Sequence, residues 1–371
     1  MKNENKTVFV SGRHFYGINT GIARLAQSII HNLASNEDFN KKYSIVIVGQ
    51  KKYQRKIPKN STYNKTSIIW YFLPPTLWER IILTWTYLLF KKGIYLNFSG
   101  LGTPSFLNSR SINTFYDVVP LIFRETMGWK TRILFDLFFL KDFMKSKYSL
   151  VLTKSFLDRM NDITKLNFKN KKIYVIGAPS GIKFNNKIQN KYDNLISKIK
   201  NDLNIENYFL FVGSIEPRKK ISDLINSVNT FRETTNTNVG LIIVSSSSWG
   251  DTNIQPCKWC CKLNDIDDSK LVELYLGSNG YLSAELYSGY GMPFYEAWRL
   301  GINSGYRSGI PEFKEACGGA GIEIDFSDSQ SIVNGLDLLY NNPTRKKLKY
   351  DQNLLNAVAN IKKVLKYIDD D

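Results

Sequence analysis

Two stretches of this chain repeat one rhythm: a short apolar run of strand character, a turn carrying glycine or basic residues, then apolar residues at helical spacing. TVFVSG (7–12) leads through RHFYGINTG into a segment where Ile22, Leu25, Ile29 and Leu33 recur every three or four positions, with Thr20 placed to cap it. FLFVG (209–213) leads through SIEPRKK into a segment where Ile221, Leu224 and Val228 do the same. Strands joined by helices pair in parallel, because a parallel connection needs a crossover too long for a hairpin turn. Further strand-like runs, SIVIVG (44–49), IYLNFS (94–99), INTFYD (112–117), YSLVLT (148–153), KIYVIG (172–177) and GLIIV (240–244), extend both halves. At 371 residues there is length for two cores. The fold class expected is α/β, with two Rossmann-like doubly wound domains. The expected boundaries are 1–185 for the first domain, a polar linker at 186–207, 208–345 for the second domain, and an amphipathic C-terminal helix in 346–371.

A hydrophobic content of 43% and an aromatic content of 13% exclude a disordered chain. No run of some eighteen apolar residues lacks charge, so no spanning helix is expected. The helix read at 74–93 is apolar almost all round, which suits a core element or one lying on a membrane surface. MKNENKTVFVSG enters a strand with no signal peptide, which points to a cytoplasmic protein, peripheral on the inner face of the cell membrane if it meets lipid. The net charge of +17 is uneven. Residues 1–200 hold 33 Lys+Arg against 11 Asp+Glu, while residues 201–371 hold 17 against 22. Such asymmetry suits an anionic surface under the first half. Nucleic acid would also suit the charge, but no nucleic-acid-binding module is recognisable, and no nucleic-acid partner is expected. CKWCC (257–261) has half of a zinc site and no second half, so its cysteines read as free thiols in a loop.

The most informative stretch is YLSAELYSGYGMPFYEAWRLG (281–301), a strand, a glycine-bearing turn and a helix start. Pro293 suits a first helical turn, where the missing N–H leaves no gap. Gly289 and Gly291 are expected to take positive φ and let backbone approach a ligand. The free N–H groups of the new helix, with its dipole, favour an anion such as phosphate. Glu296 is expected in the first turn, facing outward to accept hydrogen bonds from sugar hydroxyls.

This stretch resembles the donor-binding signature of retaining glycosyltransferases of family 4, also called glycosyl transferases group 1: E-G-F/Y-G-x-P-x-x-E-A. Gly289, Gly291, Pro293, Glu296 and Ala297 match, and Ser288 stands where the first glutamate is usual. GSIEPRKK (213–220) resembles G-S-I-E-P-R-K-N; Arg218 and Lys219 match, and Lys220 replaces asparagine. Thr20, Gly21, Ile22 and Arg24 resemble the T-G-I-x-R opening. Asp117 and Pro120 fit T-x-H-D-x-x-P, with Tyr116 in place of histidine. DDSKLVELY (267–275) resembles S-D-E-E-L-x-x-L-Y, so Asp265–Asp267 reads as a helix start and not as a metal-binding D-x-D. Pro311, Glu312 and Gly319–Gly321 fit the last motif, whose short apolar strand is degraded to INSGYR.

The resemblance implies the GT-B fold, with the donor nucleotide on the second domain and the last helix crossing back to the first. It implies transfer of a sugar from a nucleotide-sugar donor with retention of configuration. Arg218 and Lys219 would stabilise the leaving diphosphate, and Tyr116 and Asp117 would serve the reaction from the first domain. Glu296, Ser288, Gly289, Tyr290, Gly291, Met292, Gly213 and Ser214 would bind the donor, Glu296 through the ribose hydroxyls. Gly21 and Arg24 would face the acceptor. No metal, cofactor or enzyme nucleophile is implied; the donor phosphate itself would take the acceptor's proton. The basic first half would suit a lipid-linked or oligosaccharide acceptor at an anionic membrane, in assembly of a surface polysaccharide of O-antigen or capsule type. Without the carboxylate at 288 and the imidazole at 116, the alternative is a catalytically degenerate subunit that partners an active transferase.

Overall fold

The structure is a computed structural model describing residues 5–15, 20–49, 57–65, 77, 79–81, 84–86, 93–126, 128–166, 168, 171–181, 193–245, 257–264, 266–344, 348 and 351–370. It divides into two compact units, Met1–Gly181 with Gln352–Asp371, and Ile182–Asp351.

The first unit is built on seven parallel strands in the order β3-β2-β1-β4-β5-β6-β7. These are β1 Lys6–Ser11, β2 Tyr43–Gly49, β3 Thr62–Lys65, β4 Ile94–Asn97, β5 Ser111–Phe115, β6 Tyr148–Val151 and β7 Lys172–Val175. The chain starts in the middle of the sheet and builds outward on both sides, so its topological switch lies between β1 and β4. Ligands of doubly wound sheets sit at the strands' carboxyl ends beside that switch. The helix Gly21–Ala34 follows β1, and the Thr20 hydroxyl caps it by accepting from the Ala23 N–H at 3.3 Å. Leu25, Ile29 and Leu33 are buried beneath it, while Ile22 stays exposed. The last helix, Gln352–Asp370, belongs to this unit. Lys6 pairs with Asp369 at 2.7 Å, and the Asn353 and Asn356 amides donate to the carbonyls of Ala178 and Val175 at 3.0 and 3.1 Å.

The second unit repeats the arrangement with six parallel strands, β10-β9-β8-β11-β12-β13. They are β8 Asn207–Val212, β9 Val239–Val244, β10 Cys260–Leu263, β11 Tyr281–Ser283, β12 Ser304–Arg307 and β13 Ile322–Ile324. Phe209, Phe211, Leu241 and Ile243 from the sheet and Leu224, Val228 and Phe231 from the helix Ile221–Thr235 form its core. Here the switch lies between β8 and β11. The two loops that follow these strands carry GSIEPRKK and the glycine-bearing turn.

Several elements depart from the sequence reading. The helix Trp129–Lys145 was not anticipated, because its aromatic residues lie on most faces and blur the helical period. Phe139 and Phe143 seat it on Phe115, ring centres 5.8 and 5.0 Å away. The polar linker read at 186–207, with room for one helix, carries the helix Asp193–Leu203. Cys260 and Cys261 lie in the edge strand β10 and not in a loop; all four cysteines are free thiols. INSGYR is not a lost strand: Ser304–Arg307 pairs with β11 on one side and β13 on the other. Gly305 belongs there because a Cβ would come within 2.9 Å of Ile324 and Leu339. The helix expected at 74–93 falls mostly outside the described residues, as do Gly17, most of the basic loop at 51–60, Asp265 and most of the serine run after β9; residues 77, 79–81 and 84–86 are helical.

Candidate functional site

In the second unit, GSIEPRKK leaves β8 and turns through a short 3-10 segment, Pro217–Lys219, before the helix Ile221–Thr235 begins. The residue that joins them, Lys220, sits at φ 51° and ψ 49°. That left-handed conformation is several-fold enriched in asparagine, which explains the asparagine usual at this position. A lysine here accepts strain to keep the turn.

The turn aims Arg218 and Lys219 at the end of β11. The Arg218 guanidinium donates to Glu216 at 2.6 Å and to Glu285 at 2.9 Å, and also to the Tyr287 carbonyl. The Lys219 ammonium donates to the same Glu285 carboxylate. The Ser283 and Ser214 hydroxyls complete the cluster, donating to Glu285 and Glu216 at 3.1 Å each. The Leu286 N–H donates to the Arg218 carbonyl at 3.0 Å. Arg307 on β12 also holds the same loop, through the Ala284 carbonyl at 2.7 Å, and ties it to Asp223 on the helix Ile221–Thr235. Burial works to raise the Glu285 pKa, but Lys219 and Arg218 outweigh it and hold the carboxyl below its ordinary range. Burial pulls the Lys219 ammonium below its ordinary value, against the pull of Glu285.

The two basic residues read from the sequence as a diphosphate clamp are therefore already matched by two buried carboxylates. Glu285 was missed by the sequence reading. Its signal was present: an acid at the carboxyl end of a strand, three residues before the serine that replaces the usual glutamate.

Downstream, the backbone turns at Gly291 into the helix Met292–Leu300. Gly291 has φ 76°, and a Cβ on it would lie 2.3 Å from the Phe313 ring. Positive φ is thus required at Gly291 and is not found at Gly289. Pro293 is in the first turn. Glu296 is not: the helix starts at Met292, which puts Glu296 fifth, one turn in, and buried rather than facing outward. The Tyr275 hydroxyl donates to the Pro293 carbonyl at 3.1 Å and lies 3.4 Å from Glu296. The Tyr281 hydroxyl is pushed far up by burial first, then by Glu285 and Glu296 together, so the two carboxylates share one neighbourhood. Ser288 and Tyr290 are buried, and Tyr290 stacks edge-on with Tyr295 at 5.6 Å. Asp267 caps the helix Asp268–Leu276 by accepting from the Lys270 N–H at 2.9 Å. No cluster of metal-ligating side chains occurs among the described residues.

In the first unit, Tyr116 follows β5 and its hydroxyl donates to the Phe98 carbonyl at 2.7 Å. Asp117 accepts from the Val119 N–H at 3.0 Å, starting the short helix Val119–Ile122. Beside Tyr116, a buried Glu79 holds Arg13 at 3.3 Å and His14 at 3.6 Å. Sequence reading missed this cluster because its parts lie on segments far apart in the chain. His14 lies beside Phe98, ring centres 6.1 Å apart, so an imidazole is present near Tyr116 although position 116 lacks one. Gly21 opens the helix Gly21–Ala34, and the Arg24 side chain on that helix covers Gly181.

No family model matches the sequence. A segment of 134 residues is 26% identical to the O-antigen chain mannosyltransferase B of Escherichia coli, covering 34% of this chain and about a third of that one. The whole fold is similar to solved structures at low identity. One is WaaG, a glycosyltransferase involved in lipopolysaccharide biosynthesis (TM-score 0.58, 13% identity, 98% of this chain and 95% of that one). Another is the N-terminal domain of the trehalose-6-phosphate phosphatase of Candida albicans (TM-score 0.64, 11% identity, 99% and 98%). A third is the E. coli trehalose-6-phosphate protein bound with UDP-2-fluoro glucose (TM-score 0.59, 11% identity, 98% and 95%). The chain has the GT-B fold, and the resemblance to group 1 glycosyltransferases read from its motifs is met by a partial sequence match and a whole-chain fold match.

Proposed function

We propose that this protein is a retaining glycosyltransferase that moves a sugar from a nucleotide-sugar donor to a lipid-linked glycan during surface-polysaccharide assembly. Fold alone does not carry this, since one structural neighbour is part of a phosphatase. The carrying observation is the second unit's switch point, where half-buried Arg218 and Lys219 meet the loop that runs into the Gly291–Pro293 helix start. Two cations and a helix N-terminus beside one another suit a nucleotide diphosphate.

In this reading Arg218 and Lys219 stabilise the charge that grows on the leaving diphosphate, and the amides of Gly289–Met292 support it. Glu296 accepts from the ribose hydroxyls, with Tyr275 holding the carboxylate in place. The cations that meet the diphosphate are side chains, so no metal enters the scheme. Tyr116 and Asp117 keep the catalytic roles that the motif resemblance gives them. The partial match to an O-antigen mannosyltransferase supports a polysaccharide acceptor.

A membrane-side acceptor is supported by the helix Trp129–Lys145. Trp129, Ile133, Leu137, Leu140 and Met144 fall at spacings of three and four and are all exposed, Trp129 by 66% and Leu137 by 60%. Lys130, Lys141 and Lys145 are exposed beside them. An apolar stripe edged by lysines suits an anionic lipid surface. No helix among the described residues is long and apolar enough to cross a membrane.

The degenerate-subunit reading is favoured by one observation: the basic pair is already neutralised by Glu216 and Glu285. Calorimetry and nucleotide release with a panel of UDP-, GDP-, dTDP- and CMP-sugars separates the two. Binding and slow hydrolysis of one donor, both lost in Lys219→Ala, supports the transferase. Absence of binding across the panel supports the degenerate subunit.

A further inference from the structure

We propose that Glu285 is a specificity-determining residue, a resident counter-ion that keeps the Arg218–Lys219 site from favouring the nucleoside diphosphate product over the nucleotide-sugar donor. This rests on the donor site proposed above and adds to it a residue outside the motifs and a preference between two ligands.

Arg218 and Lys219 bring two positive charges, and Glu216 and Glu285 bring two negative ones, so the cluster is formally neutral. Glu285 is the member that meets both cations. The side chains are also layered. Arg218 and Lys219 keep 11% and 14% of their surface exposed, against 2% for Glu285. A phosphate can therefore reach the cations while Glu285 stays beneath them. Glu285 need not move; it subtracts one charge from what the phosphate meets. Ser283 fixes it from the other side at 3.1 Å.

A site of net positive charge would treat the two ligands differently. The diphosphate of a nucleotide sugar is a diester at both ends. Transfer breaks the sugar–phosphate bond, and the diphosphate leaves with the bonding electron pair as a terminal phosphate whose second ionisation lies near pH 6. The product thus carries close to one more negative charge than the donor at pH 7.5. A cluster of net charge +1 would hold that product more tightly than the donor. With Glu285 ionised the extra attraction is cancelled, and the product is released.

The test measures UDP, GDP, inorganic pyrophosphate, UDP-glucose and GDP-mannose binding by calorimetry at pH 7.5, for the wild type and for Glu285→Gln. The amide keeps its oxygen toward Arg218 and Lys219 and turns its NH2 to the Ser283 hydroxyl, which can accept, so the main change is the charge. A single charge a few ångströms away in a partly buried site is worth about tenfold or more in affinity. The expected result is that Glu285→Gln binds the nucleoside diphosphate about tenfold tighter, binds the nucleotide sugar with a smaller gain, and shows product inhibition at lower concentration. Equal gains for product and donor, no gain, or weaker binding by a folded variant would overturn the proposal and leave the donor site standing. If neither protein binds any nucleotide or pyrophosphate, the donor site fails, and the proposal with it. Should Glu285→Gln not fold, the salt dependence of wild-type binding decides. A neutral cluster gives a UDP affinity that changes by less than about threefold between low and physiological salt, whereas steep weakening with salt means a net positive site and overturns the proposal.

Discussion

Gly291 and Gly309 form a matched pair that separates two costs usually confounded. Both are left-handed, with φ 76° and 78°. A Cβ on Gly309 would meet nothing within 4 Å, whereas one on Gly291 would lie 2.3 Å from the fully buried Phe313 ring. Phe313 cannot yield cheaply, because Phe294 and Tyr306 pack against it at 4.8 and 5.4 Å. Gly309→Ala carries only the backbone term, about 1–2 kcal/mol for an L-residue in this region. Gly291→Ala carries that term and the displacement of a packed aromatic, a further 1–3 kcal/mol or so, for a total of roughly 2–5 kcal/mol. For a unit of this size each kcal/mol lowers Tm by about 2–4 °C. Differential scanning fluorimetry should therefore show a loss of about 2–8 °C for Gly309→Ala and a larger one for Gly291→Ala. In a Phe313→Leu background the excess at Gly291 should shrink toward the Gly309 value. If the two alanine variants melt together, the clash is not what makes Gly291 a glycine. Nucleotide binding adds a second readout: Gly291→Ala should weaken it, and Gly309→Ala should leave it unchanged.

Replacing Lys220 by glycine or asparagine relieves a left-handed backbone penalty of about 1–2 kcal/mol, offset in glycine by about 0.5–1 kcal/mol of chain entropy, and should raise thermal stability in the same assay; a lower Tm would mean that the lysine side chain contributes more than its backbone costs. Glu296→Gln should weaken nucleotide binding by about tenfold, the value of a hydrogen bond to a charged group, with the fold intact by circular dichroism. Trp129→Ser with Leu137→Glu should lower sedimentation with phosphatidylglycerol vesicles by at least about tenfold, since each apolar side chain is worth about 1.5–3 kcal/mol when buried; unchanged sedimentation would remove the lipid surface from this helix. Burial raises the Glu285 pKa but Lys219 and Arg218 lower it further, so its folded pKa lies below its unfolded one. The stability it contributes is complete above the ordinary glutamate range and is lost as pH falls through the folded value, so Glu285→Gln should flatten the acid limb of a Tm–pH curve.

The doubled α/β fold was legible because strands such as TVFVSG and FLFVG are continuous apolar runs, the mark of parallel strands buried on both faces. Where one residue type does two jobs, legibility failed. In Trp129–Lys145 the core side is Phe139 and Phe143 while Trp129, Ile133, Leu137, Leu140 and Met144 are exposed, so apolar residues on both sides leave no polar face to mark a helical period. Ser304–Arg307 reads as polar yet is a central strand, because Gly305 fills the space left by Ile324 and Leu339. At the site, the motif gave the chain positions of Arg218, Lys219, Gly291 and Glu296, and chain position does not give charge balance. Glu285 and Glu79 act through partners 66 residues away in the chain, a relation only the fold supplies.

That gap bears on how Ser288 should be weighed. Read along the sequence, Ser288 is a carboxylate lost, and a lost carboxylate argues for a degenerate protein. In three dimensions the same loop has a carboxylate at Glu285, fully engaged with the two basic residues of the preceding motif. Decay would leave a loop free to vary. Here the acid is held by Ser283, the loop by the Arg218 guanidinium at Tyr287 and by Arg307 at Ala284, and Gly291 ends the turn in a conformation that alanine cannot share. A buried ion pair costs desolvation on both sides and is a weak source of stability. The fold gains little from the pair, so its presence in so constrained a loop is what the counter-ion proposal accounts for. Glu285→Gln distinguishes these directly: a purely structural pair predicts a fall in Tm with ligand affinities unmoved, and a counter-ion predicts a shift in the ratio of product to donor affinity.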